Sequence, residues 1–131
     1  MTDLSTPHIS LGLVIEEAVA ILQRFGNPIQ ENSGRERCYR VQTPLFGVAV
    51  YPNCGKVGSV WYDDPTGRES GYGRTKKVET YLMRCGQLEN WERRLDHGWM
   101  HYWFNPTDRA QMVYGIHKDV IRFNQYAEGN A

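Results

Sequence analysis

The stretch from Asp63 to Lys77, DDPTGRESGYGRTKK, combines acids, glycines and bases ahead of a predicted helix, as several ligand-binding loops do. A phosphate-binding P-loop has four residues between its first glycine and a Gly-Lys-Ser/Thr triplet. Here five residues separate Gly67 from Gly73, and Arg74 stands where the lysine is needed. Because that loop closes a ring of backbone N–H groups of one fixed size, the extra residue excludes a P-loop.

Spacing excludes two other ligand-binding loops as well. A dinucleotide-binding loop needs a further glycine three residues after Gly73, at the position of Lys76. A calcium loop of the EF-hand type alternates its oxygen ligands so that they converge, whereas Asp63 and Asp64 are adjacent. The two acids are therefore predicted to lie in a turn as solvated side chains.

The bases of this stretch suggest contact with an anionic group. Residues 68–94 hold seven bases and four acids and form the only net positive section of the chain. At the N-terminus of a helix, the helix dipole and the free N–H groups stabilise a negative charge. We predict a partner-binding or ligand-binding rim here, with an ordinary solvated face as the alternative. The residues of this basic rim would be Arg68, Arg74, Lys76 and Lys77, and further candidate partner-binding residues are Asp63, Asp64, Arg93 and Arg94.

Histidine and cysteine residues offer no complete catalytic or metal-binding pattern. His97 and His101 have the spacing of a metal site on a helix. Their segment is predicted to be a strand, however, in which they would lie about 13 Å apart. Cys38, Cys54 and Cys85 lack the surrounding sequence of a catalytic nucleophile and are predicted to be buried or partly buried thiols. We therefore expect no catalytic residue, no metal and no cofactor.

Two helices are predicted from apolar residues that recur at steps of three and four. The first covers residues 11–25, with Ser10 as its N-cap and Gly26 as its C-terminal stop. Residues 27–35 are rich in turn formers and are predicted to be a polar linker. The second helix covers about three turns that end at Gly86, with Thr75 as its cap.

Strands are predicted where β-branched, aromatic and apolar residues cluster. Three close runs predict an antiparallel meander, and aromatic strands follow near the C-terminus, with turns at 105–109 and 116–119. Two segments stay open: 88–97 is helix or strand, and 119–126 is strand or a short helix. No internal repeat is visible. The sum is a single α+β domain with an antiparallel sheet of five to six strands, an N-terminal helix, one central helix, and about nine loose N-terminal and five loose C-terminal residues.

Aromatic residues are more numerous than one face of a small sheet requires. A period of two would place Trp99, His101 and Trp103 on one face of a strand, and Met100, Tyr102 and Phe104 on the other. Either a helix covers each face, or one face is an aromatic patch that contacts a protein. Trp99 and Trp103 therefore join the candidate partner-binding residues.

Charge and cysteine content limit the class of partner and the location. Lys plus Arg equals Asp plus Glu at 15 each, so the chain lacks the positive excess that favours general nucleic-acid binding. Glu16 and Glu17 interrupt the N-terminal apolar run, so neither a signal peptide nor a membrane anchor is predicted. An odd number of cysteines without a CxxC pair does not suit a secreted disulfide framework. A cytoplasmic location is expected.

The general character of the C-terminal stretch suggests a comparison with a known class of proteins. This stretch, about a fifth of the chain, reads WMHYWFNPTDRAQMVYGIHKDVIRFNQY. Together with the near-zero net charge and the helical N-terminus, it resembles the small immunity proteins that bacteria encode beside polymorphic toxins. The resemblance implies a stoichiometric inhibitor that covers the active site of a cognate toxin domain. Two alternatives remain. One is a small phosphate- or nucleotide-binding enzyme that uses the loop from Arg68 to Lys77, and the other is a phage-borne inhibitor of host defence.

Overall fold

An antiparallel sheet of eight strands carries two helices in the computed structural model, which describes residues 6–33, 36–67 and 70–125. These are the α-helices α1 (Ile15–Leu22) and α2 (Gly71–Leu82), and a short 3-10 helix covers Leu88–Asn90. The strands are β1 (Ile29–Ser33), β2 (Glu36–Gln42), β3 (Gly47–Asn53), β4 (Lys56–Asp63), β5 (Glu92–His97), β6 (Met100–Asn105), β7 (Ala110–Gly115) and β8 (Val120–Gln125). The α+β class is confirmed, whereas the predicted number of five to six strands is too low.

The order of elements occurs twice along the chain. A helix precedes a four-stranded meander in each half, first α1 with β1 to β4, then α2 with β5 to β8. The last strands of the two meanders, β4 and β8, pair with each other, so the sheet order is β1-β2-β3-β4-β8-β7-β6-β5. The centre of the sheet therefore consists of the last strand of each meander.

The additional strands lie where the sequence is polar or ambiguous. Residues 29–33, predicted to be a linker, form the edge strand β1 and pair with β2 from Ile29↔Arg40 to Ser33↔Glu36. Of the two open segments, 88–97 contains a short 3-10 helix at Leu88–Asn90 followed by β5, and 119–126 contains β8. Pairing with a neighbouring strand satisfies the backbone N–H and C=O groups whatever the side chains are, so it overrides a weak local preference.

Helix α1 is shorter than its apolar periodicity predicts. Its N-cap is Val14 rather than Ser10, and it ends at Leu22, ahead of the predicted stop at Gly26. The preceding residues pair with β4 instead: Gly12 N–H donates to Val57 O at 2.8 Å, and Val57 N–H donates to Leu13 O at 2.8 Å. The left-handed φ of +85° at Gly12 is incompatible with a helix and lets the chain make this contact.

Helix α2 begins earlier than predicted, inside the glycine-rich stretch. Its cap is Ser70, whose Oγ accepts the Gly73 N–H at 2.9 Å, while Thr75 lies within the helix. Gly67 and Gly73 touch through their backbones, because a Cβ on either would come within 2.6–2.7 Å of the other's carbonyl oxygen. The glycines thus allow the loop to pack against the first turn of its own helix.

Both helices pack on one face of the sheet and share one core with it. Ala18 and Leu22 of α1 and Tyr81 and Leu82 of α2 are fully buried. They meet the inward side chains of the central strands, which include Val48, Val50, Val60, Tyr62, Met112, Ile121 and Phe123. Burial of each large apolar side chain contributes about 1.5–3 kcal/mol. The core between the two helices and the sheet therefore supplies most of the stabilisation.

Residues 6–9, which belong to the stretch of about nine N-terminal residues expected to be loose, contact the core. The Tyr62 O–H donates to Pro7 O at 2.9 Å, and Thr6 Oγ1 lies 3.2 Å from the Tyr81 hydroxyl. Ile9 is itself a buried core residue. Residues 1–5 and 127–131, also expected to be loose, lie outside the described part of the chain.

The three thiols differ in environment. Cys38 is buried and Cys85 is half-buried, as predicted, whereas Cys54 is exposed. Cys54 and Gly55 form the two-residue turn between β3 and β4, with φ of +55° and +79°. Such a turn matches the twist of the strands, and its position at the end of the hairpin leaves the Cys54 thiol exposed to solvent.

Candidate functional site

The face of the sheet opposite the helices is not covered by α1 or α2, and it presents a row of large side chains. In antiparallel strands, residues that lie directly opposite each other point to the same face. The pairing therefore places one row across six strands on the uncovered side, here called the open face. The row consists of Arg40, Ala49, Trp61, Arg122, Val113 and Tyr102.

A groove of about 320 Å³ lies on the open face, beside this row. Its apolar lining comes from Trp61, Trp99, Met100, Val113 and Val120, and its cationic side chains are Lys118 and Arg122. Val113 is buried with 2% exposure, whereas Trp61 and Trp99 are 37% and 62% exposed. Within the described residues, no carboxylate lines the groove. It is therefore an apolar depression with positive charge.

Trp61 is held in one orientation by two contacts. Its Nε1–H donates to Ser59 Oγ at 3.1 Å, and the guanidinium of Arg122 lies 4.9 Å from the centre of its ring. A cation over an indole face is attracted to it by about 0.5–1 kcal/mol at an exposed site. An aromatic side chain ordered before binding loses less entropy when a partner arrives. The Trp61 ring is in this sense preorganised.

Trp99 does not share a face with His101 and Trp103, contrary to the alternation predicted from the sequence. It lies in the turn between β5 and β6, where Gly98 has a φ of +61°, so the period of two does not extend to it. Its ring packs edge-to-face on His117 at 4.1 Å and lines the groove of the open face. His101 and Trp103 point to the other side, toward α2.

The helix-side cleft, between α2 and strands β5 to β7, contains three of the predicted partner-binding residues. Arg74, Arg93 and Trp103 line it, in a volume of about 310 Å³. Arg93 already binds Asp96, which lies outside the lining, through two hydrogen bonds of 3.0 and 2.8 Å, and Glu79 is an acidic residue of the lining itself. Two acids thus offset the two arginines, and this cleft carries no positive excess.

The other basic residues among the predicted partner-binding residues differ in environment. Lys76 is exposed on α2, and Arg68 lies outside the described residues. Arg94 binds Glu92 at 3.2 Å and lies over the Phe104 ring at 5.1 Å, so it contacts its own strand and the next one. Of the basic rim predicted at the start of the helix, the described part of the chain leaves Arg74 and Lys76 exposed and buries Lys77.

Lys77 and Asp64, predicted to be accessible, are both buried. Lys77 Nζ donates to Asp64 O at 2.8 Å and lies 3.3 Å from Asp119 Oδ1. Asp64 accepts the Tyr81 O–H at 2.7 Å and the Thr66 N–H at 2.9 Å. Asp63 alone remains exposed. The prediction of two solvated acids is thus wrong for Asp64, because its oxygens bind groups that the loop and α2 bring together.

The buried hydroxyls of Tyr81 and Tyr114 provide a matched test of this network. Burial raises the pKa of Tyr81, and the carboxylate of Asp64 raises it further, so the hydroxyl is a donor at neutral pH. We expect Tyr81→Phe to lower the free energy of unfolding by about 1–3 kcal/mol, because Asp64 then loses its shortest hydrogen bond in a buried place. The measurement is urea unfolding followed by circular dichroism.

The control variant is Tyr114→Phe. Tyr114 is as deeply buried as Tyr81, but its hydroxyl has no hydrogen-bond partner in the part of the chain that the structure describes. Its removal should change the free energy of unfolding by less than about 0.5 kcal/mol, or stabilise the protein. Equal losses in the two variants would show that the hydrogen bond to Asp64 is not what stabilises this region.

The described residues include no cluster of three or more His, Cys, Asp or Glu side chains placed to hold a metal ion. Burial, with a smaller effect of the Asp108 carboxylate, raises the pKa of the Cys85 thiol, which leaves it protonated and a poor nucleophile at neutral pH.

The predicted turn at 116–119 is confirmed. Neither helix of the described chain has the length and apolar character that crossing a bilayer requires.

The sequence pattern had not selected Trp61, Arg122 or Lys118 as site residues. One signal was present: in β4, Val60 and Tyr62 alternate with Trp61, so a large aromatic residue stands at an outward position. Arg122 has the same relation to Ile121 and Phe123 in β8. Their meeting at the centre of the sheet depends on the β4–β8 pairing, which no local pattern indicates.

Comparison with known proteins yields no matching protein family, no matching curated protein and no matching solved structure.

Proposed function

We propose that the protein is a non-catalytic binding protein that holds another protein on the open face of its sheet. The observation that carries the proposal is this face itself, with its ordered Trp61, its exposed Trp99 and its apolar groove. Tryptophan and arginine are the residue types that most often dominate the binding energy of protein interfaces. Both occur here at the centre of a surface that the protein's own helices leave uncovered.

The size of the open face suits such a role. Six strands spaced about 4.8 Å apart, each about 20 Å long, offer a flat area of about 500–600 Å². The roughness of the side chains and the adjoining turns increase the accessible area above this value. A standard protein interface buries about 800 Å² on each partner. The open face is therefore of the right order to form the greater part of one interface.

We further propose that the partner is a toxin domain and that the protein is a bacterial immunity protein acting in the cytoplasm. A stoichiometric inhibitor must cover an active site without chemistry of its own, and a rigid sheet face suits this because little entropy is lost on binding. The type-level resemblance of the C-terminal strands supports the same assignment. In this proposal the partner site shifts from the predicted basic rim to the open face, which keeps Trp99 and Asp63 from the predicted partner-binding residues.

Two alternatives receive unequal support from the geometry. A phosphate-binding enzyme that uses the loop up to Lys77 is disfavoured, because Lys77 is bound inside and the glycines pack against each other. An inhibitor of host defence carried by a phage has the same binding physics and differs in its target. The genes beside the coding sequence separate them: a large secreted toxin gene supports immunity, and phage structural genes support the other.

The experiment that tests the proposed function is affinity purification from the native host with the tagged full-length protein. A 1:1 complex with a toxin domain should co-purify, and deletion of the gene should make cells sensitive to their siblings. A protein that purifies alone, from a strain whose growth does not change on deletion, would contradict the proposal. A thermal shift with ATP, NAD or Mg²⁺ would instead favour the nucleotide-binding alternative.

A further inference from the structure

The groove on the open face is small for a cofactor and large enough for one side chain. Small-molecule sites range from about 300 to 1,000 Å³, and the groove, at about 320 Å³, lies at the lower limit. A buried aromatic anchor removes about 150–250 Å² of surface from water and gives an interface much of its energy. The groove thus has the dimensions of a pocket for a single anchor residue of a partner.

The turn that follows β7 places charges of opposite sign on opposite sides of the sheet. Lys118 is exposed and lines the groove, while the next residue, Asp119, is buried on the helix side and pairs with Lys77. Neighbouring charges of opposite sign therefore end on opposite sides of the sheet. Asp63, an acid on the open face, lines a neighbouring depression together with Arg40. Lys118 and Arg122 leave the groove with a positive excess.

We propose that the groove binds an aromatic or branched aliphatic side chain of the partner, with carboxylates on either side of it in the partner's chain. The apolar residues Met100, Val113 and Val120 would contact the anchor, and Lys118 and Arg122 would contact the flanking carboxylates. Charge complementarity of this kind sets orientation and specificity at an interface. This inference rests on the proposed function, since it names the chemistry of the same partner.

A protein segment fits the groove better than a nucleic-acid strand does. A nucleic-acid site needs a continuous basic track for the phosphates, and its affinity comes largely from those contacts. The chain has no net charge, and the greater part of the groove lining is aliphatic or aromatic rather than basic. An anchor with two or three carboxylates near it needs only the two cations that are present.

The test uses three hexapeptides and methyl-detected NMR on the full-length protein. The first is acetyl-Glu-Asp-Leu-Phe-Asp-Glu-amide; the second has lysine in place of each acid, and the third has alanine in place of Leu and Phe. The first peptide, at millimolar concentration, should shift the methyl signals of Met100, Val113 and Val120. Its affinity, taken from the titration of these signals, should be at least tenfold higher than that of either other peptide. Added salt should weaken its binding.

Two charge variants complete the test. Lys118→Glu should lower the affinity for the acidic peptide at least tenfold. Lys76→Glu, which makes the same charge change at an exposed position of α2, should leave this affinity unchanged. Equal binding of the acidic and basic peptides, or no binding of either, would overturn the inference. So would tighter binding of a single-stranded oligonucleotide to the same methyl groups. A toxin complex that forms on the open face and is unaffected by Lys118→Glu would overturn this inference and leave the proposed function intact.

Discussion

Replacement of Lys77 by Met is expected to lower the free energy of unfolding by about 3–5 kcal/mol. Met keeps the length and most of the volume of the side chain but removes its positive charge. Asp119, which is 5% exposed, would then lose its contact with the Lys77 ammonium, and Asp64 O would lose its hydrogen bond of 2.8 Å. Urea unfolding followed by circular dichroism measures the loss.

The matched control is the adjacent residue. Lys76 is exposed on the same helix, so Lys76→Met removes the same charge from solvent and should change the free energy of unfolding by less than about 0.5 kcal/mol. The double variant Lys77→Met with Asp119→Asn should recover part of the loss, because the buried negative charge that Lys77 faces is then removed as well. Asn suits the left-handed φ of +55° at position 119. Equal stability of the two Met variants would show that Lys77 is not buried.

The second large effect concerns partner binding. The double variant Trp61→Ala with Trp99→Ala is expected to weaken the complex by about 100-fold or more, since each anchor of this kind contributes about 2 kcal/mol or more. Both rings are partly exposed and stand outside the shared core, so the variant should fold. Titration calorimetry with the co-purified partner gives the affinity, and circular dichroism gives the fold.

An exposed aromatic residue on the helix side provides the control for this experiment. Tyr72 is 75% exposed on α2, and Tyr72→Ala removes a similar apolar area from the opposite side of the protein. We expect its affinity to stay within about twofold of the parent protein. A loss in Tyr72→Ala with no loss in the tryptophan variant would place the partner near the start of α2, where the basic residues were first predicted to act.

Local patterns in the sequence predicted the parts of the fold whose burial follows a simple period. The three runs that became β2, β3 and β4 were predicted within a few residues, because alternating or continuous apolar side chains indicate a strand with a buried face. Val78, Tyr81 and Leu82 were recognised as the buried side of a helix for the same reason. Such patterns are local, so the rest of the chain has little influence on the secondary structure that they indicate.

The errors occur where a contact distant in the chain overrides the local pattern. Strand β1 is polar and gains its structure from pairing with β2. Lys77 looks like one more surface base in a basic run, but its acidic partner, Asp119, is 42 residues away. The glycines of the 63–77 stretch suggested a ligand, whereas two of them serve a backbone contact between Gly67 and Gly73.

The sequence by itself determined the α+β class, the first meander, the apolar face of α2 and the exclusion of the phosphate, dinucleotide and calcium loops, because each depends on spacing within a short segment. Only the tertiary structure decided which surface stays uncovered and which residues meet there. The pairing of β4 with β8 sets Trp61 against Arg122, and the packing of both helices on one side leaves that row on the other. Strand order and helix placement depend on contacts between the two halves of the chain, and a periodic pattern within one segment carries no information about them.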